Sequence, residues 1–477
     1  MNTANAPISF VGLTLGFRHV CSFFCSGACL IFLLSIALLP VCAWPQSELA
    51  TVFGTVTDQS GAVIPAAQIT IVNLDTGLQR NTVTDTTGQY HLSGLPTGNY
   101  VVHAESKSLR TQVREGVALT AASGVLINFS LAVASQSQRL TVSGDVNQVD
   151  ATTSIVGGFV SAQSLSELPL DGRDLFKAAV LEPGVAPTPS SAPSTLSNGK
   201  AGQVAINGMR PSWTDLRIDG MDANDPVLGY PPGGASGLFL GLNEFTEVRV
   251  LTQTFDVQYG RNGGGVIDAV TKSGTNRFHG SLFALYRDAA LDSKNYFDLA
   301  NAPIPPFVRN QFGTGVGGPL VHDRTFFYAN YEGFREVQAS TAIATVPDSL
   351  AHHGLLPSAT NPGTCGSATP NGCVAIAIDP RVPQFLALFP LPNGADNGDG
   401  TGDLITDDKG NVYENHGMVR IDHNFSDAHS LFARYIIDDS SSLVPYFGTP
   451  PGLHVPGFPT DHTARNQYFT VQDRSNL

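Results

Sequence analysis

The chain is poor in charge. Asp, Glu, Lys and Arg make up 14% of its 477 residues, against about a quarter in an ordinary soluble globular protein. Cations are the scarcest: 26 Lys and Arg stand against 40 Asp and Glu, for a formal net charge of −14. Without a basic excess the chain lacks the electrostatic footprint of a nucleic-acid binder, so no such partner is expected. Cysteine is rare outside the N-terminal segment. Cys21, Cys25, Cys29 and Cys42 lie in that segment, and only Cys365 and Cys373 follow it. Nothing near that last pair completes a CxxC or HxxxH ligand set, so a zinc site is not expected. The chain also has no H-x-x-E pair, no H-E-x-x-H, no G-x-S-x-G and no P-loop. No catalytic residues, metal or cofactor are therefore expected, and no enzyme. What is abundant is glycine, 49 residues of it. A weakly charged, turn-rich chain of this length suits two to four mainly β domains.

The one long apolar run is at the N-terminus. Ala28 to Leu39 reads ACLIFLLSIALL, followed by Pro40 and then Val41-Cys42-Ala43. Small residues before the boundary suit signal peptidase, which predicts an export signal over residues 1–43. The rival reading is a permanent anchor, since Val20 to Leu39 could just span a bilayer. In an exported chain Cys365 and Cys373 are a candidate disulfide; two unlinked thiols in a loop are the alternative.

Residues 48–132 alternate short β runs with glycine turns. Ile69 and Ile71 alternate with Gln68 and Thr70, and Ile127, Phe129 and Leu131 alternate with Asn128 and Ser130. Asp58-Gln59-Ser60-Gly61 and Asp85-Thr86-Thr87-Gly88 read as turns. Period-two patterning at this spacing predicts an antiparallel sandwich. The stretches GTVTDQSGAVIPAAQITI (54–71) and TDTTGQYHLSGLPTGNY (84–100) resemble the carboxypeptidase regulatory-like domain. That resemblance implies a transthyretin-like, non-catalytic module. The related starch-binding-like modules raise carbohydrate binding, but this segment has no tryptophan to serve as a sugar platform.

Residues 138–275 hold the most specific pattern. QRLTVSG (138–144) reads as an extended connector. Leu175 to Leu181 reads as a short helix stopped by Pro183-Gly184, and residues 206–225 as two strands around a turn. Then EFTEVRVLTQTFDVQYGRNGGGVIDAVTKSGTN (244–276) resembles the plug signature of TonB-dependent outer-membrane receptors. The matching positions include Glu247, Val248, Tyr259, Gly260, Gly263, Gly264, Gly265, Thr271, Lys272, Ser273 and Gly274. The glycine triplet is expected to reverse the chain through positive φ. A nucleotide-cradling loop is a poor alternative, because a helix should follow it and Val266 onward is β-like. The resemblance implies that TonB captures the connector by strand addition, with Leu140, Thr141, Val142 and Ser143 as the candidate contact.

Past Asn276 the strands lengthen. In MVRIDHNF (418–425) Val419, Ile421 and Phe425 oppose Arg420, Asp422 and Asn424. In LFARYIID (431–438) one face is apolar, while the other is mixed: Phe432, Arg434, Ile436 and Asp438. Such alternation is what a membrane barrel requires. Tyr286, Phe326, Tyr328 and Tyr435 are candidates for an interfacial aromatic girdle. Residues 340–415 read as a long extracellular loop. Asp396, Asp399, Asp403, Asp407 and Asp408 lie there at a spacing that suits a solvated loop better than calcium. About six spanning strands are expected over 276–477, against about twenty-two in the family's barrel. The chain therefore reads as C-terminally truncated, with an incomplete transmembrane β-barrel.

The resemblance as a whole is to the Oar-type subgroup, which joins a regulatory-like sandwich to plug and barrel. It implies a receptor in the outer membrane of a Gram-negative-type bacterium, with TonB, outer-membrane lipid and an unknown extracellular ligand as partners. Import of that ligand is the leading expectation. A surface adhesion or structural protein anchored by its barrel is the alternative.

Overall fold

The computed structural model describes residues 49–107, 109–133, 140–143, 156–168, 170–188, 204–227, 233–253, 263–294, 304–339, 342–358, 372–406, 408–445 and 459–475, with positions 229, 231, 259 and 365. The export signal lies outside these residues.

The first region is a sandwich of short strands: β1 (Ala50–Asp58), β2 (Gln68–Asn73), β3 (Gln79–Val83), β4 (Gln89–Leu95), β5 (Gly98–Glu105), β6 (Gln112–Leu119), β7 (Gly124–Leu126) and β8 (Phe129–Leu131). One sheet runs β4-β1-β7, with β8 also on β1; the other runs β3-β2-β5-β6 and continues to β9 (Leu140–Ser143). Alternation sends Val52, Val56, Ile69, Ile71, Tyr100, Val102, Ile127 and Phe129 into one apolar core. Each such side chain contributes about 1.5–3 kcal/mol on burial. The two D-x-[ST]-G turns use the same device. Asp58 Oδ1 accepts from the amides of Ser60 and Ala62, and Asp85 Oδ1 from those of Thr87 and Gln89. The sandwich is not wholly antiparallel: β7 and β8 run parallel to β1, and β9 parallel to β6. After β6 the chain crosses to the other sheet, and a crossover of this kind delivers a strand in the same direction as its neighbour.

The second region is a plug built on the sheet β10-β15-β16-β13-β14. Its strands are β10 (Val156–Ser161), β13 (Thr214–Ile218), β14 (Met221–Asp222), β15 (Phe245–Gln253) and β16 (Gly265–Thr271), with β11 (Val185–Pro187) and β12 (Val204–Ile206) paired beside it. Every residue of β16 is buried. Helices Ala162–Glu167 and Leu175–Ala179 cover the sheet, the second ending two residues short of the span expected from sequence. Between β13 and β14 the turn residues Asp219 and Gly220 both have positive φ, 51° and 77°, the type I′ geometry that favours Asp-Gly.

The third region is a sheet of six long antiparallel strands, β17-β18-β19-β24-β25-β26. These are β17 (His279–Asp288), β18 (Phe307–Val321), β19 (Thr325–Ala339), β24 (Lys409–Ser426), β25 (His429–Val444) and β26 (Thr460–Ser475). At 10 to 18 residues each is long enough to cross a bilayer, which takes about 9–11 tilted residues. Val316, Tyr331, Val419, Ile421, Tyr435 and Phe469 face outward, exposed, while Gln311, Glu332, Glu414, His416, Arg420 and Arg434 face inward, buried. Among the described residues no helix is long and apolar enough to cross a membrane. Between β19 and β24 lie two small hairpins, β20 (Ala342–Pro347) with β23 (Thr401–Thr406), and β21 (Leu355–Pro357) with β22 (Cys373–Ala375). The loop is shorter than the 340–415 expected, because Asn411–Asn415 already pair with Gly333–Val337 of β19. The polar side chains that made this stretch look loop-like belong to a strand whose inner face is not lipid.

The wall wraps the plug with one shared core. Tyr328, Met418 and Ile436 of the wall join Phe176, Phe239, Phe245 and Val248 of the plug. The sandwich sits at the short-turn end. The Asn276 amide donates to Asp75 O (2.8 Å), and the Asn276 side chain bonds Asp323 in the β18–β19 turn.

Candidate functional site

The wall carries an arrangement that is unfavourable by itself. Arg420 on β24 lies directly opposite Arg434 on β25. Like charges facing each other across a strand pair repel, and both guanidiniums are buried. The plug supplies the counter-ion. Asp219, at the tip of the β13–β14 hairpin, is contacted by Arg434 Nη1 and by Arg420 Nη1 at 3.5 Å. The same carboxylate accepts from the Thr271 amide (2.8 Å) and hydroxyl (2.7 Å) at the end of β16. Arg420 also donates to the Thr271 hydroxyl at 2.7 Å and to Asp422 at 2.8 Å. Burial alone would push the Asp219 carboxyl up. Arg434, Arg420 and the two Thr271 bonds outweigh it and hold the group below the ordinary carboxylate value.

Further up the lumen the wall offers acceptors to plug backbone. Glu332 accepts from the Gly241 amide (3.2 Å) and from Gln311 (2.6 Å), which also donates to Gly172 O (3.0 Å). Glu414 accepts from the Ser236 amide (3.0 Å), and Ser440 from the Ala235 amide (2.7 Å). His416 lies between carboxylates, Nε2 at 2.9 Å from Glu244 and Nδ1 at 3.3 Å from Asp438. Arg309 reaches Asp171 at 2.6 Å, and Asp171 also pairs with Lys177 at 2.9 Å. Burial raises the Asp171 carboxyl, but Lys177 and Arg309 bring it down to about 2. Asp174 caps the helix Leu175–Ala179 and accepts from the Phe239 amide. Burial drives it up to about 6 against those two bonds.

Hydrogen bonds and ion pairs therefore join the plug to the wall beside their shared apolar core. Each can be exchanged for water at a net cost of about 0.5–1.5 kcal/mol for a neutral bond, more for a charged one.

Residues 51–132 match the carboxypeptidase regulatory-like domain family, and residues 270–476 the outer membrane beta barrel domain family. Over 306 residues, 61% of this chain and 27% of its relative, the chain is 28% identical to the TonB-dependent transporter Oar of Myxococcus xanthus. The chain is a homologue of the TonB-dependent outer-membrane receptors. A probable TonB-dependent siderophore receptor, PirA of Acinetobacter baumannii, is 27% identical over 36% of this chain and 22% of its own. The chain spans about a quarter of the length of the curated relatives it matches. Among solved structures, the Escherichia coli outer membrane transporter YddB superposes with a TM-score of 0.44 at 13% identity, over 67% of this chain and 37% of that one. A mutant of the Pseudomonas aeruginosa ferric enterobactin receptor PfeA gives 0.40 at 16%, over 67% and 38%. The chain is an outer-membrane protein, and the relatives named are transporters and receptors.

The signature residues of the receptor homologue divide by role. Thr271 belongs to the Asp219 cluster. Val248 is in the core, and the Lys272 amide donates to Glu244 O at 2.6 Å. Burial, then the charge of Arg173, lowers the Lys272 ammonium. Tyr259 packs with Leu251 and Val266 under the Arg217 guanidinium. Gly260 lies outside the described residues. Gly264 and Gly265 do not adopt positive φ, contrary to the expected chain reversal. Their lack of a side chain serves close approach: a Cβ would meet Trp213 O at 2.8 Å from Gly264, and Leu251 O at 2.8 Å from Gly265. Gly274 does the same at the crossing into the wall, where a Cβ would lie 2.4 Å from Phe327 O. Ser273 lines, with Lys272, a cavity of about 210 Å³ between sandwich, plug and wall.

Glu247 does something its place in a motif did not suggest. Its Oε1 accepts from the Ala121 amide of the sandwich at 2.6 Å, while Arg249 donates to Ala121 O at 2.7 Å. One strand of the plug thus grips both sides of one sandwich residue. Burial pushes the Glu247 carboxyl up to about 7, opposed by the Ala121 bond and Arg249.

Two girdle assignments change. Tyr286 and Tyr435 face outward, but Phe326 and Tyr328 are 2% exposed and point inward; Tyr328 donates to Asn243 O at 2.9 Å. Cys365 and Cys373 are joined by a disulfide in the β19–β24 connection. Leu140–Ser143 form β9 at a sheet edge, away from the plug–wall cluster. Asp219, Arg434, Glu244 and His416 were not singled out from sequence. The available signals were the Asp-Gly turn and arginines recurring on the inward face of two adjacent strands.

Proposed function

We propose that this chain supplies the sandwich, the plug and wall strands of a receptor that binds an extracellular ligand and imports it, with TonB drawing on residues 140–143. The observation that carries this reading is the buried Asp219–Arg420–Arg434 cluster, in which a plug carboxylate bridges two facing wall guanidiniums, one of them also paired with Asp422 of the wall. Such a contact seats the plug specifically, yet is made of groups that water can replace. A pull on Leu140–Ser143 would travel through residues 144–155 to β10. That strand lies at the edge of the plug sheet and, among the described residues, pairs only with β15, so it can peel without breaking the sheet's centre. Strand addition needs an extended segment with an open edge, and among the described residues β9 pairs only with β6.

The test is capture of the purified periplasmic domain of the host's TonB by the full chain in outer-membrane vesicles. The Thr141→Pro, Val142→Pro variant removes two amides and should lose capture at least tenfold. Undiminished capture would sink the assignment of this segment. Ligand binding to cells without any TonB-dependent uptake would favour the adhesion alternative.

A further inference from the structure

The cavity of about 210 Å³ beneath the Asp219 cluster is lined by all three regions. Asp75 and Thr97 come from the sandwich, Thr271 and Ser273 from the plug, and Arg420 and Phe432 from the wall. Its roof includes the plug–wall contact, because Asp219 lines it too. Its floor is the sandwich. The cavity lies at the short-turn end of the wall, the end that faces the periplasm in outer-membrane barrels. Whatever passes the Asp219 contact on that side enters this space and meets the sandwich next. The sandwich is pinned at several points around it. Where plug crosses into wall, the Asn276 amide donates to Asp75 O at 2.8 Å. At the β18–β19 turn Gly77 lies so close that a Cβ there would sit 2.5 Å from Asp323 Oδ1. At the β24–β25 turn the charge of Asp427 supports the Arg80 guanidinium against the cost of its burial. On the plug, Glu247 and Arg249 hold the two backbone groups of Ala121. These contacts are polar. The apolar core of the sandwich holds sandwich residues alone, whereas plug and wall share theirs. A body with its own core and a polar joint can leave that joint without exposing hydrocarbon that it shares with a neighbour.

Resting on the import reading above, we propose that the sandwich is a lid on the periplasmic side of the plug–wall seam. It closes the cavity while docked and opens it by swinging away as one body. Import then takes two separations, plug from wall at Asp219 and sandwich from the rim at Asp75, Gly77 and Ala121. Weakening the docking opens the cavity to solvent, and locking it keeps the cavity closed.

The test is thiol labelling of the full chain in detergent micelles, where both faces meet solvent. Ser273→Cys places a thiol in the cavity, and the probe is a negatively charged methanethiosulfonate. Adding Gly77→Cys and Asp323→Cys locks the lid, since a Cβ on Gly77 would lie 3.4 Å from Asp323 Cγ, within reach of a disulfide. Peptide mass identifies the 77–323 link. The locked protein should label at least tenfold more slowly than Ser273→Cys alone. Gly77→Ser with Asp323→Ser, carrying the same thiol at position 273, controls for the lost side chains and should label as Ser273→Cys does. Arg249→Ala, which loosens the clasp on Ala121, should speed labelling. Equal rates with and without the lock overturn the proposal, since the sandwich then does not close the cavity. Failure of the 77–323 link to form also overturns it, since the sandwich is then not seated on the rim. Neither result involves TonB, so the import reading survives both. If instead the Thr141→Pro, Val142→Pro variant keeps TonB capture while the lock still slows labelling, the closure is real but serves no import, and the proposal falls with that reading.

Discussion

The sandwich core and the plug–wall contact are both buried, but the second adds to its apolar cluster a set of buried charges that the first does without. In the sandwich Val52, Ile69, Ile71, Tyr100 and Phe129 pack side by side with no charge among them. Between plug and wall, Asp219, Glu332, Glu414, His416, Arg420, Arg434 and Asp438 are equally hidden from solvent. Hydrocarbon burial is non-directional and is lost in proportion to the area exposed. Buried charge is stabilising only while its partner is in place. The first material suits a body that must stay folded. The second suits a contact that must hold one geometry.

The sharpest break in that comparison is Asp219→Ala. It removes the carboxylate between the facing Arg420 and Arg434, leaving Arg420 with Asp422 and Arg434 with the neutral acceptors Thr470 and Ile218 O, and removal of one partner from a buried ion pair costs about 3–5 kcal/mol. Hydrogen exchange of residues 214–222 and 265–271 in the membrane-embedded protein should quicken accordingly, with the sandwich unchanged. Protection equal to that of the unmodified chain would falsify the counter-ion role.

Ile71→Ala is the mirror experiment. A large-to-small change in a close-packed core costs about 2–5 kcal/mol. The effect should appear as an earlier thermal transition of the sandwich, leaving exchange at β16 untouched. Loosening of both regions together would mean that the two bodies are energetically one.

The smallest effect lies where the regions meet. Burial raises the Glu247 carboxyl from 4.5 to about 7. A carboxyl raised on docking favours the docked state below its ordinary value, and that contribution is lost as pH climbs through the raised one. Sandwich–plug docking should therefore weaken between pH 4.5 and about pH 7, followed by protease access to residues 120–123. Glu247→Gln keeps an acceptor for Ala121 without the ionisation. It should flatten that dependence, and an unchanged slope assigns the titration to another group.

Much of this architecture is legible in local patterns. The D-x-[ST]-G turns, the alternation around Ile69 and Ile127, and the change to long strands past Asn276 all appear where expected, because turn chemistry and period-two burial depend on near neighbours. The mixed face of β25 was harder to interpret. Phe432, Arg434, Ile436 and Asp438 make sense only once the plug is opposite them: Ile436 enters the shared core, Phe432 lies under the Arg420 guanidinium, and Arg434 meets Asp219. Tyr328 was misjudged for the same reason, since an aromatic in a barrel strand suits a lipid boundary and a plug core equally well.

By itself the sequence determined the order of the regions, the faces of each strand and the places where the chain turns, since each follows from residues a few positions apart. Only the tertiary structure decided which wall face meets the plug, that Asp219 answers two arginines more than two hundred residues away, and that residues 140–143 rest on β6. Those choices depend on which distant backbone and charge arrive opposite, and no local periodicity records that.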